Sequence, residues 1–271
     1  MDIVEINRDT CTKCGICNFV CSAGLIESDN QNYPLAIPET NEACNRCGAC
    51  VAACPTGSLN HRDLPLEKSP SIDNQFKVSL EQCAQLIKSR RSIRSYRDKK
   101  VPREEITRLI DEARYAPTGG NSQNVKWLVI DNQETMMHLR EIGRTFVIEA
   151  FANIPAYASR LELFKKRRDA GFDIFLHGAP VLVNIYGEEN MPIAAIDSTI
   201  ALSYFDLLAN SAGLGCCWIG LFSAAANNLP QIKDILGLHE GNQVYGSMIV
   251  GYPNYIYPRI PVRNVADVRW L

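Results

Sequence analysis

The sequence predicts a two-domain chain, with a small cysteine-rich domain followed by a larger domain of mixed helices and strands. Its 271 residues exceed the usual size of one domain. Eight of the eleven cysteines lie between residues 11 and 54, whereas sustained helical and strand-like apolar patterns begin only after residue 78. We therefore expect the cysteine-rich domain over residues 1–60, a linker over 61–78 and the larger domain over 79–271.

The eight cysteines form two runs with the same spacing, C-x2-C-x2-C-x3-C, which is typical of proteins that bind two [4Fe-4S] clusters. In this pattern three thiolates of one run bind one cluster, and the fourth binds the cluster of the other run. The predicted ligands are Cys11, Cys14, Cys17 and Cys54 for one cluster and Cys44, Cys47, Cys50 and Cys21 for the other.

Zinc ligation and disulfides are the alternative uses of these cysteines. A zinc site takes four ligands, so two runs of four offer more sulfur than one ion needs. Disulfides need an oxidising compartment, and the N-terminal residues show no apolar signal-peptide region. The segment over roughly residues 1–60 resembles the bacterial two-cluster ferredoxins, and residues 1–9 alternate as a short strand does.

The composition narrows the class of partner. A formal net charge of −2 argues against nucleic acid or an anionic membrane as the main partner. No apolar run reaches the roughly 18 residues of a membrane span, so no span is expected. We expect a cytoplasmic protein, where thiols stay reduced. The four histidines are scattered, and structural or surface roles are expected for His61, His138, His177 and His239.

The larger domain opens with a helix that Ser79 caps, and helical spacing predicts that Cys83 is buried on its apolar face. A second helix follows Pro102. Further helices are predicted over 134–170 and 193–211, and strands over 127–130, 179–186, 216–220 and 243–250. The helix over 193–211 is apolar on more than one side, which predicts burial in a core or a subunit interface. Cys216 and Cys217 point to opposite faces of their strand and are expected to pack.

Two stretches of this domain suggest a binding site. Arg90, Arg91, Ser92 and Arg94 can form an anion site, because arginine and serine donate to phosphate oxygens. A solvated surface is the alternative. The loop over 116–123 contains Gly119, which allows a ligand to approach the backbone. Asn121 and Gln123 carry amides that donate and accept hydrogen bonds. A plain turn is the alternative for this loop.

Four motifs in this order resemble the FMN-dependent nitroreductase family over roughly residues 78–271. They are Arg90-Arg91-Ser92-Ile93-Arg94, Ala116-Pro117-x3-Asn121-Ser122-Gln123, Gly213-Leu214-Gly215-x2-Trp218-Ile219-Gly220, and Gly251-Tyr252-Pro253 followed by Arg263. The whole chain resembles a ferredoxin–nitroreductase fusion. The resemblance implies an α+β fold with a central, mainly antiparallel sheet flanked by helices, and a homodimer with FMN at the interface.

The resemblance also implies roles for individual residues. Arg90, Ser92 and Arg94 would bind the FMN phosphate and ribityl chain, and Arg263 would bind the phosphate. A loop of the neighbouring subunit would reach the flavin through Pro117, Thr118, Gly119 and Asn121. Backbone groups of Ile219, Gly220 and Leu221 would lie beside flavin N5 and O4.

These observations predict an iron–sulfur flavoprotein oxidoreductase. Electrons would pass through two [4Fe-4S] clusters to FMN, which would reduce a small electron-poor acceptor such as a nitroaromatic or a quinone. No catalytic side chain is required, and the donor would be ferredoxin or NAD(P)H. One alternative is an NAD(P)H-driven reductase whose clusters take electrons onward. The other is a non-enzymatic electron relay or redox sensor.

Overall fold

The computed structural model describes residues 3–152 and 154–271. Its described residues form two compact units, one up to residue 77 together with 120–122, and the other over 78–119 and 123–271. Each unit has its own core of apolar side chains.

The first unit contains short helices and two small antiparallel strand pairs. Its elements are β1 (Val4–Ile6), α1 (Ile16–Val20), β2 (Ile26–Ser28), β3 (Pro34–Ala36), α2 (Thr40–Ala43), α3 (Ala49–Ala53), β4 (Leu59–His61) and two 3₁₀ turns (Leu66–Lys68 and Asn74–Phe76). β1 pairs with β4, and β2 pairs with β3. Within the strand predicted over 1–9, residues 1 and 2 lie outside the described residues. His61 ends β4, although the predicted linker begins at that residue.

The second unit is built from a sheet and seven helices among the described residues. Its elements are α4 (Leu80–Ser89), α5 (Arg103–Ala113), β5 (Lys126–Ile130), α6 (Gln133–Ala152), α7 (Ala158–Asp169), β6 (Val181–Glu188), α8 (Pro192–Ser211), β7 (Gly215–Trp218), α9 (Gly220–Asn228), α10 (Pro230–Leu236) and β8 (Asn242–Gly251). A 3₁₀ turn over Pro155–Tyr157 precedes α7, and another spans Gly119–Asn121. In the helical stretch predicted over 134–170, Asn153 lies outside the described residues.

The four strands form one antiparallel sheet in the order β5-β6-β8-β7. Side chains alternate between its two faces. Leu182 and Ile249 pack in one core with α6, α9 and α10. Val183 and Met248 pack in a second core with α5 and α8. Helices therefore cover both faces of the sheet, and the predicted α+β fold with an antiparallel sheet is confirmed.

The two adjacent cysteines of β7 divide between these cores, as predicted. Cys216 packs with the α5 and α8 side, whereas Cys217 packs with the α6 and α9 side. Each is 2% exposed. Burial raises the pKa of the Cys216 thiol well above its ordinary value, so this residue is an inert packing group.

Two expectations for the helices are corrected by the structure. Cys83 is exposed, and α4 buries none of its side chains although Ser79 and Gln82 form a capping box at its start. The helix itself was predicted correctly, but among the described residues no surface packs over the apolar face of α4 closely enough to bury it. The segment over 220–236, for which no helix was predicted, forms α9 and α10, and Gly220 begins α9 where a strand residue was expected.

The helix α8 is both long and apolar. By length and composition alone, it is the one helix among the described residues that could cross a membrane. It carries Asp197 and Asp206, both buried, and it packs Leu202 and Phe205 into the core. The helix therefore contributes to the core of the second unit.

Gly143 offers a test of how tightly this unit is packed. It lies inside α6, where a Cβ atom would collide with the ring of Phe175, a side chain that is 1% exposed. Gly143→Ala should therefore destabilise the fold by about 1–3 kcal/mol through overpacking. Replacing glycine by alanine in an exposed helix interior stabilises a helix by roughly 1 kcal/mol, which does not offset the larger overpacking cost. Urea unfolding measures the difference.

The companion variant is Gly143→Ala with Phe175→Leu, which makes room for the new methyl group. This double variant should lose less stability than the two single variants added together. A Gly143→Ala protein that is more stable than the parent would show that the ring can move aside.

Candidate functional site

The thiols of each predicted cluster set surround one cavity in the first unit. Four of them line the first cavity, and the other four line the second. The two sets are Cys11, Cys14, Cys17 and Cys54, and Cys21, Cys44, Cys47 and Cys50. Each set thus combines three cysteines of one run with the last cysteine of the other, which is the division that the spacing predicted.

These thiols stand around a space instead of converging on a point. Across residues 3–152 and 154–271, no three His, Cys, Asp or Glu side chains are grouped closely enough to hold a metal ion. A cluster of several iron and sulfur atoms is larger than one ion and fits ligands that stand apart.

Backbone N–H groups donate hydrogen bonds to one sulfur atom of each cysteine set. The Leu25 N–H donates to Cys21 Sγ at 3.3 Å, and the Ser58 N–H donates to Cys54 Sγ at 3.2 Å. Burial alone raises the pKa of the Cys54 thiol. Hydrogen bonds from the backbone of Thr56, Leu59 and Ser58 outweigh that effect and leave this pKa below its ordinary value. The surroundings of Cys54 therefore favour its thiolate, which is the form that binds iron.

In the second unit the arginine-rich segment lies beside the edge strand β7. The Ile93 N–H donates to the Cys216 carbonyl at 2.9 Å, and the Arg97 N–H donates to the Tyr252 carbonyl at 2.8 Å. Gly215 permits this approach because a Cβ atom there would collide with Ile93. The segment from 90 to 97 is therefore fixed between β7 and the end of β8.

A buried carboxylate on α8 orients the first of these arginines. Arg90 Nη1 lies 3.2 Å from Asp206 Oδ2, and the Asp206 side chain is 7% exposed. Burial raises the pKa of Asp206, and Arg90 opposes that shift. A cleft of about 340 Å³ opens beside Arg90 and Arg91, within the range of small-molecule pockets.

Arg91, Ser92 and Arg94 have different surroundings. Arg91 donates from Nη2 to the Lys88 carbonyl, and its Nε is buried without a partner in the described structure. An unpaired buried donor costs about 1–3 kcal/mol, which an anionic ligand would offset. Ser92 and Arg94 both lower the pKa of Cys217, whose burial raises it, so both lie close to that thiol. Arg90 and Arg91, which line the cleft, fit the phosphate of a nucleotide cofactor.

The small-residue loop is anchored by a second buried carboxylate of α8. The Gly119 N–H donates to both oxygens of Asp197, at 3.1 and 3.3 Å. A side chain at Gly119 would collide with Ile193 of the same helix. Farther along the loop, the Gln123 N–H donates to Thr118 Oγ1 at 3.0 Å. The loop is thus a constrained structure instead of a plain turn.

The start of α9 presents unpaired backbone donors. The Ile219 N–H donates to the Ser247 carbonyl at 2.9 Å, and the helix begins at the next residue. Gly220 and Leu221 occupy its first turn, where N–H groups lack an intrahelical acceptor. A Cβ atom at Gly220 would meet nothing within 4 Å, so the surface here is open. A polar edge of a planar ligand fits this position.

The other residues predicted for the flavin site have few contacts with it in the described structure. Arg263 lies in the exposed segment after β8, and the described structure gives it no hydrogen bond or ion pair. Pro117 is exposed. Asn121 groups with the first unit. Asp197 and Asp206 were not predicted, although two carboxylates in an otherwise apolar helix are a sequence signal for specific contacts.

Two sets of four thiols, together with a basic cleft in a separate α+β unit, define a redox protein with two kinds of cofactor. The chain belongs to the nitroreductase family, whose model matches residues 87–252. Residues 10–59 match the model of the 4Fe-4S dicluster domain. The predicted ferredoxin–nitroreductase fusion is confirmed, and the chain is an oxidoreductase of the FMN-dependent nitroreductase type.

Individual relatives agree with this assignment. An FMN reductase (NAD(P)H) of Bacillus subtilis is 28% identical over 180 residues, which cover 65% of this chain and 68% of that protein. An iodotyrosine deiodinase of Thermotoga neapolitana is 22% identical, covering 68% and 95%. The fold is similar to that of a nitroreductase with bound FMN from Bacteroides fragilis, with a TM-score of 0.56, 24% identity, and coverage of 69% and 98%.

Proposed function

We propose that this chain passes electrons from two [4Fe-4S] clusters in its first unit to FMN, and from FMN to a small electron-poor acceptor such as a nitroaromatic or a quinone. The observation that supports the proposal most is the placement of the eight thiols around two cavities in a chain of the nitroreductase family. Cytoplasmic thiols stay reduced, which suits this arrangement.

Different side chains would bind the phosphate and the ribityl chain of the flavin. Arg90, Arg91 and Ser92 would hold the phosphate, with Asp206 fixing the Arg90 guanidinium. Arg94 would reach the ribityl chain. Arg263 is assigned to the phosphate by family resemblance alone. FMN, when bound, supplies hydride or single-electron transfer, so the protein needs no nucleophile of its own.

The polar edge of the flavin would be bound by backbone groups and by the small-residue loop. The open first turn of α9 at Ile219, Gly220 and Leu221 would donate to that edge. The loop residues Pro117, Thr118, Gly119, Asn121 and Gln123 would line the flavin of the neighbouring subunit. Asp197, which accepts from the Gly119 N–H, would hold this loop in shape.

A homodimer would supply the second half of each flavin site. A single chain leaves an apolar stripe of α8 exposed, with Ile193 at 40%, Ile196 at 56% and Tyr204 at 42%. The segment after β8 exposes further apolar side chains: Tyr255, Ile256, Tyr257, Ile260, Val262, Val265, Val268, Trp270 and Leu271. Apolar surface of this extent marks an interaction site. A sedimentation mass of one 30.2 kDa chain for FMN-loaded protein would contradict the dimer.

The electron donor is proposed to be ferredoxin or NAD(P)H. The name of the Bacillus subtilis relative states that NAD(P)H is used by that protein. With NAD(P)H as donor, the clusters could instead take electrons onward.

Steady-state turnover tests the enzymatic proposal against a relay or sensor. Protein loaded with iron, sulfide and FMN should oxidise many equivalents of donor per chain under anaerobic conditions when a nitroarene or quinone is present. Absorbance of the donor and the acceptor measures the rate. Oxidation that stops after one equivalent of reduced protein, with every acceptor tried, would exclude the enzyme and favour the relay.

A further inference from the structure

The first unit is an internal repeat in which residues 33 positions apart occupy equivalent places. Cys11 corresponds to Cys44, and Cys21 to Cys54. Gly15 and Gly48 precede α1 and α3 with left-handed φ values of 70° and 74°. The Leu25 and Ser58 N–H groups described above are also equivalent. Contacts that break this repeat therefore distinguish the two cavities.

His61 makes one of the contacts that break the repeat. It is 1% exposed, and its Nε2 lies 3.6 Å from Cys44 Sγ. Its Nδ1 accepts a hydrogen bond from the Asp63 N–H at 3.1 Å. A ring nitrogen that accepts carries no proton, so the ring proton is on Nε2. Nε2 therefore donates to Cys44 Sγ.

The equivalent position in the other half carries no such donor. Ser28 stands 33 residues before His61, and its Oγ accepts from Asn18 Nδ2 at 3.0 Å. The structure gives Cys11 Sγ, the equivalent of Cys44 Sγ, no side-chain donor among the described residues. Cys44 Sγ also receives the Arg46 N–H at 3.4 Å. In the cysteine set that contains Cys11, the Thr56 hydroxyl lies 3.8 Å from Cys54 Sγ.

We propose that His61 tunes one cluster alone: its Nε2–H bond to Cys44 raises the reduction potential of the cluster held by Cys21, Cys44, Cys47 and Cys50. The inference rests on the proposed cluster ligation. Reduction adds one electron to the cluster and its thiolates, and a hydrogen-bond donor to sulfur stabilises the added negative charge. Because the bond is buried, water does not replace it.

Potentiometric titration of the loaded full-length protein, followed by low-temperature EPR, tests the proposal. His61→Phe removes the donor and keeps a planar ring in the buried position. This variant should lower the midpoint potential of one cluster and leave that of the other unchanged. Unchanged potentials for both clusters, or an equal fall in both, would overturn the proposal.

Two further variants separate tuning from a structural role. His61→Gln retains an N–H donor near the place of Nε2 and should restore most of the parental potential; a fall as large as that of His61→Phe would also overturn the proposal. Ser28→Ala, at the equivalent position, should change neither potential. Failure of the cluster assignment itself would look different, since the parent protein would then show no iron–sulfur EPR signal.

Discussion

Replacing Cys14 and Cys47 by serine should abolish ferredoxin-driven reduction of the flavin. These two exposed thiols belong to different sets, so the double variant disrupts both clusters at once. Serine is a poor ligand for iron in place of a thiolate, and the electron path through the first unit is lost. Iron content and flavin bleaching by reduced ferredoxin under anaerobic conditions measure the effect.

The control for this variant is Cys83→Ser. Cys83 is exposed and lies in the second unit, outside both sets. Its replacement should leave iron content and flavin reduction at the parental level. Flavin reduction by ferredoxin that persists in an iron-free Cys14→Ser and Cys47→Ser protein would show that the clusters are not on the path.

The second large effect is expected at Arg90, through the affinity for FMN. Charge-assisted hydrogen bonds contribute about 1.5–3 kcal/mol, so losing this guanidinium should weaken FMN binding roughly 10- to 150-fold. Arg90→Ala should be combined with Asp206→Asn, because removing Arg90 alone leaves a buried carboxylate unpaired. Quenching of FMN fluorescence by the apoprotein measures the dissociation constant.

Arg114→Ala is the matched control for this experiment. Arg114 also pairs with an aspartate, Asp111, but the pair is exposed and lies outside the proposed site. Its replacement should leave FMN affinity unchanged. A folded Arg90→Ala and Asp206→Asn protein with parental affinity would contradict the assignment of the phosphate site.

Local sequence patterns account for the parts of the site that were predicted. The cysteine spacing brings three thiols of each run together locally, and the fourth thiol of each set comes from the other run, as this motif specifies. The sulfur sets around the two cavities follow that division. The strands of the sheet were likewise predicted from continuous apolar runs, such as the one that forms β6.

Features that depend on distant packing were not predicted. The period of α4 is helical, yet whether Cys83 is buried depends on a partner surface that no local pattern specifies. Asp197 accepts a hydrogen bond from Gly119, which is 78 residues away in the sequence. Asp206 pairs with Arg90, which is farther away still. His61 belongs to the same class, since its contact with Cys44 joins residues 17 positions apart.

An anaerobic reductive titration of the reconstituted protein tests the central claim most directly. It follows iron–sulfur and flavin absorbance together while electrons are added from reduced ferredoxin. We predict that both chromophores are present and that the flavin is bleached in the cluster-loaded protein. Protein that contains zinc in place of iron and sulfide, or that binds no flavin, or whose flavin stays oxidised while the clusters are reduced, would contradict the account.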